Sequence, residues 1–293
     1  MSPEPDYVAR VNRAIDHVLT HLHEPLRLED VAAVAAFSPF HFHRVFKALT
    51  GETLARFVKR RRLERALGLM AAQPDAPMSR VALDSGFASA SDFSRSFRNR
   101  YGVPPSAFDL DRHRDAGRAR MVEELDQPDL ARLPPGANPD GFEVTLRELP
   151  PRVIAYRRVV RPFEGTAVVD ACAELVAWAE ARGAADGQWL GYMWDDPDLV
   201  PLDRCRYDVG VEVDDVTPQG TVGRLELPAM RIAELAIDGD IALEQRALDW
   251  IYGTWLPRSR CVPADLPCFE AWDGRPFAHG TARFVLRLQL PVE

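Results

Sequence analysis

Two copies of one 14-residue stretch decide the fold of the N-terminal half. Residues 38–51 have the sequence SPFHFHRVFKALTG, and residues 89–102 have the related sequence SASDFSRSFRNRYG. Each copy begins with serine, a favoured helix N-cap, and ends with glycine, which favours the left-handed conformation that terminates helices. Two phenylalanines at spacing i, i+4 give each helix one apolar face, and an arginine lies away from it. The repeat therefore predicts two short amphipathic helices with outward basic residues.

A helix-turn-helix unit is predicted around each copy. VAAVAAF (residues 31–37) precedes the first copy and VALDSGF (residues 81–87) precedes the second. Small residues at such a contact let two helices cross closely. An apolar-striped segment at residues 7–22 predicts a leading helix, and residues 52–70 predict a long helix that joins the two units.

The outward faces of these helices carry the candidate DNA contacts. Histidine, arginine and lysine side chains can bond base edges and phosphates in a major groove. An ordinary amphipathic surface helix is the alternative for either copy alone. A basic run at residues 59–62 adds a candidate phosphate contact, with a solvated charged face, or pairing of some of its residues with neighbouring acids, as alternatives. The candidates are Phe40, His43, Arg44 and Lys47 on the first helix, Ser91, Arg95 and Arg98 on the second, and Arg61 in the basic run.

Charge is distributed unevenly along the 293 residues, which carry a net charge of −8. Residues 1–120 hold 19 basic and 14 acidic side chains, whereas residues 121–293 hold 17 and 30. This asymmetry indicates that the N-terminal half meets an anion and the other half does not. No signal segment and no long apolar run is found, so a soluble, cytoplasmic protein without membrane contact is expected. Four cysteines without a CxxC motif predict free thiols, and no metal or cofactor is expected.

A segment rich in proline and glycine separates the two halves. Residues 111–140 are predicted to be a linker with one weak helical piece around 117–125, between domains at 1–110 and 141–293. The second domain contains its own repeat, ELPPRVIA at residues 148–155 and ELPAMRIA at residues 226–233. Alternating strands and apolar-striped helices around each copy predict strand–helix–strand–strand, twice, about a pseudo-dyad with a cleft. The predicted fold class is a multidomain protein, with an all-α domain followed by a duplicated α+β domain.

The N-terminal repeats resemble the DNA-binding domain of the AraC family of transcription regulators. The resemblance covers residues 8–108 and rests on SPFHFHRVFKALTGET (38–53) and GFASASDFSRSFRNRYGVPPSAF (86–108). It implies that the second helix of each unit enters double-stranded DNA, in two successive major grooves. A contact with RNA polymerase is a further expectation. Base contacts carry over to Phe40, His43, Arg44, Ala90, Ser91 and Arg95. Because Ala90 and Ser91 are small, the first helix is expected to read more sequence than the second.

Residues 142–293 resemble the GyrI-like effector-binding domain. The matching motifs include GYMWDDPDLV (191–200), WIYGTWLPRSR (250–260) and PCFEAW (267–272). The resemblance implies a pocket for a small hydrophobic or cationic effector, since aromatic faces and a carboxylate attract cations. Its implied lining is Tyr192, Trp194, Trp255, Glu270 and Trp272.

Alternatives to this interpretation remain open. Each aromatic could be ordinary core, and Glu270 could face solvent. Some GyrI-like domains resemble small-molecule hydrolases, in which Glu270 would act as general base with Tyr192 as its orienter. The acidic half could instead sequester a drug while the DNA-binding domain regulates its own synthesis.

Overall fold

The computed structural model describes residues 7–130, 132–134, 136–264 and 266–293. The chain divides into two compact units, Met1–Arg114 with Gln219–Thr221 and Asp115–Pro218 with Val222–Glu293. The first unit is helical and the second is built on an antiparallel sheet with helices, as the sequence predicts.

Six helices form the core of the first unit. Helix α1 packs on α2 and α3, and α4 contacts α3, α5 and α6. The helix-turn-helix pairs are α2–α3 and α5–α6, and the long α4 joins them. The helices are α1 (Tyr7–Thr20), α2 (Leu28–Val34), α3 (Pro39–Thr50), α4 (Leu54–Ala72), α5 (Met78–Asp84) and α6 (Ala90–Tyr101).

Each second helix begins and ends at the predicted residues. The Ser38 and Ser89 hydroxyls accept hydrogen bonds from the backbone N–H groups three residues later, at 3.4 and 3.1 Å. Gly51 and Gly102 end the helices in the left-handed region, at φ of 76° and 83°. The paired phenylalanines of both helices are buried in the helical core. The predicted caps and apolar faces are therefore confirmed.

Half of the predicted linker is a helix. Helix α7 spans Leu110–Leu125, so it begins seven residues before the weak helical piece expected from the sequence. Its first turn is capped by Asp109, whose Oδ1 accepts from the Arg112 backbone N–H at 2.9 Å. The chain passes from one compact unit to the other within this helix.

The second unit contains an eight-stranded sheet in which every neighbouring pair is antiparallel. The strand order is β1-β6-β8-β7-β3-β4-β2-β5. One helix follows the second strand of each half: α8 (Ala167–Glu180) in the first half and α9 (Ile241–Trp250) in the second. Helix α9 continues into a π-helical turn, Ile251–Trp255, and then into the short helix α10, Leu256–Ser259. The strands are β1 (Thr145–Leu149), β2 (Arg152–Val160), β3 (Trp189–Met193), β4 (Arg206–Val213), β5 (Val222–Leu227), β6 (Met230–Gly239), β7 (Phe269–Trp272) and β8 (Phe284–Val292).

The first strand of each half pairs with the other half. Strand β1 pairs with β6, and β5 pairs with β2. Strands β1 and β2 occupy the first and seventh positions and run in the same direction, although only Pro150 and Pro151 separate them. Such a connection reaches about 11 Å, whereas six strand spacings across a flat sheet are about 29 Å. The sheet must therefore curl until its two ends approach each other.

The curl gives the sheet two buried faces. On the helix face, α8 and α9 pack over the strands in one large core that includes Tyr207, Val209 and Trp272. On the opposite face, side chains from the ends and centre of the sheet pack on one another, with Tyr192 and Phe269 fully buried.

Strand β5 is not among the sequence predictions. Gly223 weakens its strand signal, because glycine is depleted in strands. Gly223 is opposite Tyr156 in the register, and a Cβ there would lie 2.5 Å from the tyrosine ring. The glycine therefore makes room for a buried ring that sequence periodicity does not reveal.

Candidate DNA-binding surface and effector site

Helix α3, the first predicted recognition helix, presents all four of its candidate side chains to solvent. Phe40 is 63% exposed, and His43, Arg44 and Lys47 are also exposed. The Arg44 guanidinium lies 4.7 Å from the centre of the Phe40 ring. This face offers cationic groups and an aromatic ring while the opposite face of the helix is buried.

Helix α6, the second predicted recognition helix, presents fewer candidate side chains. Ser91, Arg95 and Arg98 are exposed, as predicted. Asp92, which would repel a phosphate, is partly buried and lies near the Arg62 guanidinium. The Arg62 guanidinium on helix α4 therefore partly offsets the negative charge of Asp92.

The predicted phosphate contact at Arg61 needs correction. Arg61 is only 8% exposed, and its Nη1 bonds Glu64 at 2.5 Å. Arg60 bonds Glu52 and Glu64, and Arg62 donates to the backbone carbonyl of Leu22 at 2.9 Å. The basic run therefore braces the helical unit internally, since three of its four residues are committed to protein partners.

In the second unit, Glu270 lies at the centre of the sheet. It is cross-strand partner to Gly191 where β7 meets β3, and its side chain keeps solvent-accessible surface. The Tyr207 hydroxyl donates to the Glu270 Oε2 at 2.5 Å. A side chain at position 191 would overlap both groups. Gly191 thus leaves the space in which the tyrosine–carboxylate pair forms.

A second carboxyl group, that of Glu244, approaches Glu270 from helix α9. Glu244 is 6% exposed. Burial raises its pKa well above the usual range, and the Glu270 charge and a hydrogen bond to Glu270 raise it further. Burial also raises the pKa of Glu270, although hydrogen bonds from Tyr207 and Glu244 oppose that effect. Two carboxyl groups this close favour a state that retains a proton.

Two thiols and the tyrosine complete the ionisable groups around the pair. Burial, then the Glu270 charge, raises the pKa of the Cys172 thiol on α8 to about 12. The same two causes raise the pKa of Tyr207 well above its usual value. Burial also raises the pKa of Cys268, which precedes β7. All three side chains are therefore neutral near pH 7.

Both carboxylates come from one half of the pseudo-twofold repeat. Glu270 and Gly191 are equivalent, since each is the mid-strand residue at the junction of the halves. Glu244 and Cys172 are also equivalent, because each begins a buried triplet at spacing i, i+3, i+7 on its helix. The halves share a scaffold but differ at its centre, where only the second half supplies acids.

The structure divides the five predicted effector residues between the two faces. Trp255, Glu270 and Trp272 belong to the helix face. Tyr192 packs on Phe269 on the opposite face, with ring centres 5.3 Å apart. Trp194 lies there too, and its indole N–H donates to Asp208 at 2.7 Å. Tyr192 is thus buried and Trp194 partly buried on the face opposite Glu270, and the Glu270–Tyr192 pair of the hydrolase alternative is not formed.

Tyr207 and Glu244 both contact Glu270 and are not among the candidate residues predicted from the sequence. The alternation of strand β4 places Tyr207 on the same face as Val209 and Val211. Glu244 could have been found from the sequence as a glutamate within the otherwise apolar stripe of helix α9. Within the described ranges, no group of three or more histidine, cysteine, aspartate or glutamate side chains is arranged to hold a metal ion. No helix among those residues is long and apolar enough to cross a membrane.

Two family profiles match the chain in the order that the sequence motifs suggest. The profile described as a helix-turn-helix domain matches residues 31–110. The profile described as a GyrI-like small molecule binding domain matches residues 142–293. Since the second match covers more than half of the chain, the chain belongs to the GyrI-like small molecule binding domain family. Both resemblances inferred from the sequence are confirmed.

Curated relatives match over about a third of the chain. The uncharacterized HTH-type transcriptional regulator YbfP of Bacillus subtilis (strain 168) is 35% identical over 102 residues, which is 35% of this chain and 34% of that protein. The right origin-binding protein of Escherichia coli (strain K12) is 35% identical over 91 residues, 30% of each chain. The chain thus spans about a third of the length of these curated relatives.

Among solved structures, one similar protein is the DNA-binding domain of AdpA, crystallised with a target DNA. It is 28% identical to this chain and covers 40% of this chain and 97% of that one, with a TM-score of 0.32.

Proposed function

We propose that this chain is a sequence-specific DNA-binding transcription regulator whose C-terminal domain binds a small hydrophobic cation. The observation that carries the proposal is the presence of two outward basic recognition helices and a central carboxylate site in one chain. The relatives named as transcriptional regulators support the DNA-binding half of this assignment.

The DNA contact is proposed to use two successive major grooves. Arg44 is the strongest candidate for a base contact, since an arginine bidentate to guanine contributes about 1–3 kcal/mol of discrimination. Arg95 is its counterpart on α6, and Lys47 and Arg98 suit phosphates. The first helix has more base-reading groups than the second. We further propose that the regulator contacts RNA polymerase.

The effector is proposed to be cationic because the central site has acids and no basic partner. Glu270 and Glu244 make no ion pair with arginine, lysine or histidine within the described part of the chain. An organic cation could supply the missing positive charge, and Trp255 or Trp272 could supply apolar contact. We propose a site for binding, because the Glu270–Tyr192 pair expected of a hydrolase is split between the two faces of the sheet.

The test combines DNA selection with effector titration of the full-length protein. Selection from random duplexes should yield an operator with two blocks one helical turn apart, with affinity that falls steeply as salt rises. Tetraphenylphosphonium, a permanent organic cation, should bind wild type and change operator affinity. Glu270→Gln should weaken its binding more than that of neutral triphenylphosphine oxide. Absence of an enriched sequence would refute the DNA arm, and equal losses for both compounds would refute the electrostatic role.

A further inference from the structure

The strongest unexplained feature is the buried acid pair itself. One carboxylate would be enough to attract a cation, yet Glu244 reaches Glu270 from a different element, α9 instead of β7. Glu244 is nine-tenths buried, whereas Glu270 retains accessible surface. Glu244 is therefore the less accessible of the two acids.

The surroundings explain which charge state the empty site adopts. From β4, the Tyr207 hydroxyl donates to Glu270, and a protonated Glu244 can donate to the same carboxylate. The other titratable groups that face the pair are the thiols of Cys172 on α8 and Cys268 next to β7, both neutral. Among the residues that the structure describes, neither acid pairs with a basic side chain, which favours retention of a proton by the pair.

We propose that Glu244 is a proton-exchanging acid in the effector site: an organic cation bound at Glu270 displaces the Glu244 proton to solvent. The empty site then carries one negative charge and the occupied site carries two, balanced in part by the cation. This inference rests on the proposed effector chemistry and adds a second ionic residue to it. It also makes affinity depend on pH.

The sign of that dependence follows from the direction of proton movement. A cation favours ionised carboxylates, so its affinity is highest above the pH at which the pair loses its proton. Affinity falls as the pH drops through that range, because the cation must then compete with a proton. Exchange of one proton changes affinity by up to about tenfold per pH unit.

Calorimetry of the full-length protein with tetraphenylphosphonium tests the proposal. This probe has no titratable proton, so any proton released comes from the protein. Titrations at one pH in buffers of different ionisation enthalpy should show up to one proton released per cation bound. Binding of the cation to wild type without proton release would overturn the inference while leaving the proposed effector class intact.

Glu244→Gln provides the decisive comparison. The amide keeps the shape of the side chain and can still donate to Glu270, so the variant should bind the cation without proton release and with a flattened pH profile. Glu174→Gln, at an exposed glutamate of α8 that pairs with Arg157, is the matched control and should behave as wild type. Undiminished proton release by Glu244→Gln would refute the assignment.

A ligand-free measurement separates the two hypotheses. The infrared difference between wild type and Glu244→Gln near pH 7 should contain the C=O stretch of one protonated carboxylic acid. Its absence would overturn the inference whatever the ligand. If the band is present but tetraphenylphosphonium does not bind at any pH, the proposed effector class fails and the inference fails with it.

Discussion

At the residue scale, exposure separates two arginines of the helical unit that the sequence offers as DNA contacts. Arg44 is exposed beside Phe40, whereas Arg61 is buried on Glu64. Exposure decides which of them DNA can reach, and neither composition nor local charge density reveals it. The two substitutions should therefore have separable consequences.

Arg44→Ala is expected to lower operator affinity by about 5- to 150-fold, the equivalent of about 1–3 kcal/mol, and to relax the preference at one base position. Arg61→Met should instead lower thermal stability and leave the selected sequence unchanged. Fluorescence anisotropy with the operator and its single-base variants measures the first effect, and thermal melts measure the second. An unaltered base preference in Arg44→Ala would remove it from the base-reading set.

Gly191 is the residue on which the geometry of the effector site depends. A methyl group there would overlap the Tyr207 hydroxyl and the Glu270 carboxylate. Gly191→Ala should separate that pair, destabilise the C-terminal domain by about 1–3 kcal/mol through overpacking, and weaken tetraphenylphosphonium binding. Gly253→Ala is the control, since no atom lies within 4 Å of its added Cβ. Wild-type stability and affinity in Gly191→Ala would contradict the close packing described.

At the element scale, helix α7 is held by a buried ionic cluster. The Arg118 guanidinium bonds Asp198 at 2.8 Å and Asp249 at 2.7 Å, and all three side chains are nearly inaccessible. Arg118 also donates to the Leu130 carbonyl at 3.0 Å. Gly117 packs so closely on the Asp198 backbone that no side chain fits. These contacts fix the helix in a region where the sequence predicts a linker with one weak helical piece.

Arg118→Met should therefore destabilise the C-terminal domain by about 3–5 kcal/mol, because it removes the guanidinium that bonds the buried Asp249 and leaves Asp198 with Arg132 as its cationic partner. All six tryptophans lie between residues 178 and 272, so denaturant unfolding followed by tryptophan fluorescence reports on this domain. Arg283→Met, which breaks an exposed pair with Asp238, should unfold like wild type. Identical midpoints for the two variants would mean that the cluster contributes little.

The sequence predicts a helix or strand well when the residues that determine it lie within that same helix or strand. Helices α3 and α6 carry caps, periodicity and stops within a dozen residues, and all three are observed. Helix α7 was underestimated because its stabilising partners are remote: Asp198 is 80 residues from Arg118. The effector site shows the same limit, since Tyr207 is 63 residues from Glu270. Resemblance identified Glu270, but only strand register shows that Tyr192 is on the other face.

At the scale of the whole molecule, duplication explains why the site lies where it does. A pseudo-twofold sheet brings equivalent residues of its two halves together at the central strands, β3 and β7. Because the equivalent positions of the first half hold Gly191 and Cys172, two carboxyl groups meet at this point instead of four. The curled sheet and exchanged outer strands then form a common scaffold around an asymmetric centre.

The proposed regulation by a cationic effector requires that cation and operator binding be coupled. Coupling free energies between two sites are typically about 1–3 kcal/mol, so saturating tetraphenylphosphonium should change operator affinity by about 5- to 150-fold. Operator DNA must then change the affinity for the cation by the same factor and in the same direction. Calorimetric titration of the cation into the free protein and into the operator complex measures that factor, with Glu270→Gln as the variant that should lose it. A factor of one would mean that the C-terminal domain sequesters its ligand without changing the affinity of the DNA-binding domain for the operator. A ligand that binds two conformational states with equal affinity does not shift the equilibrium between them.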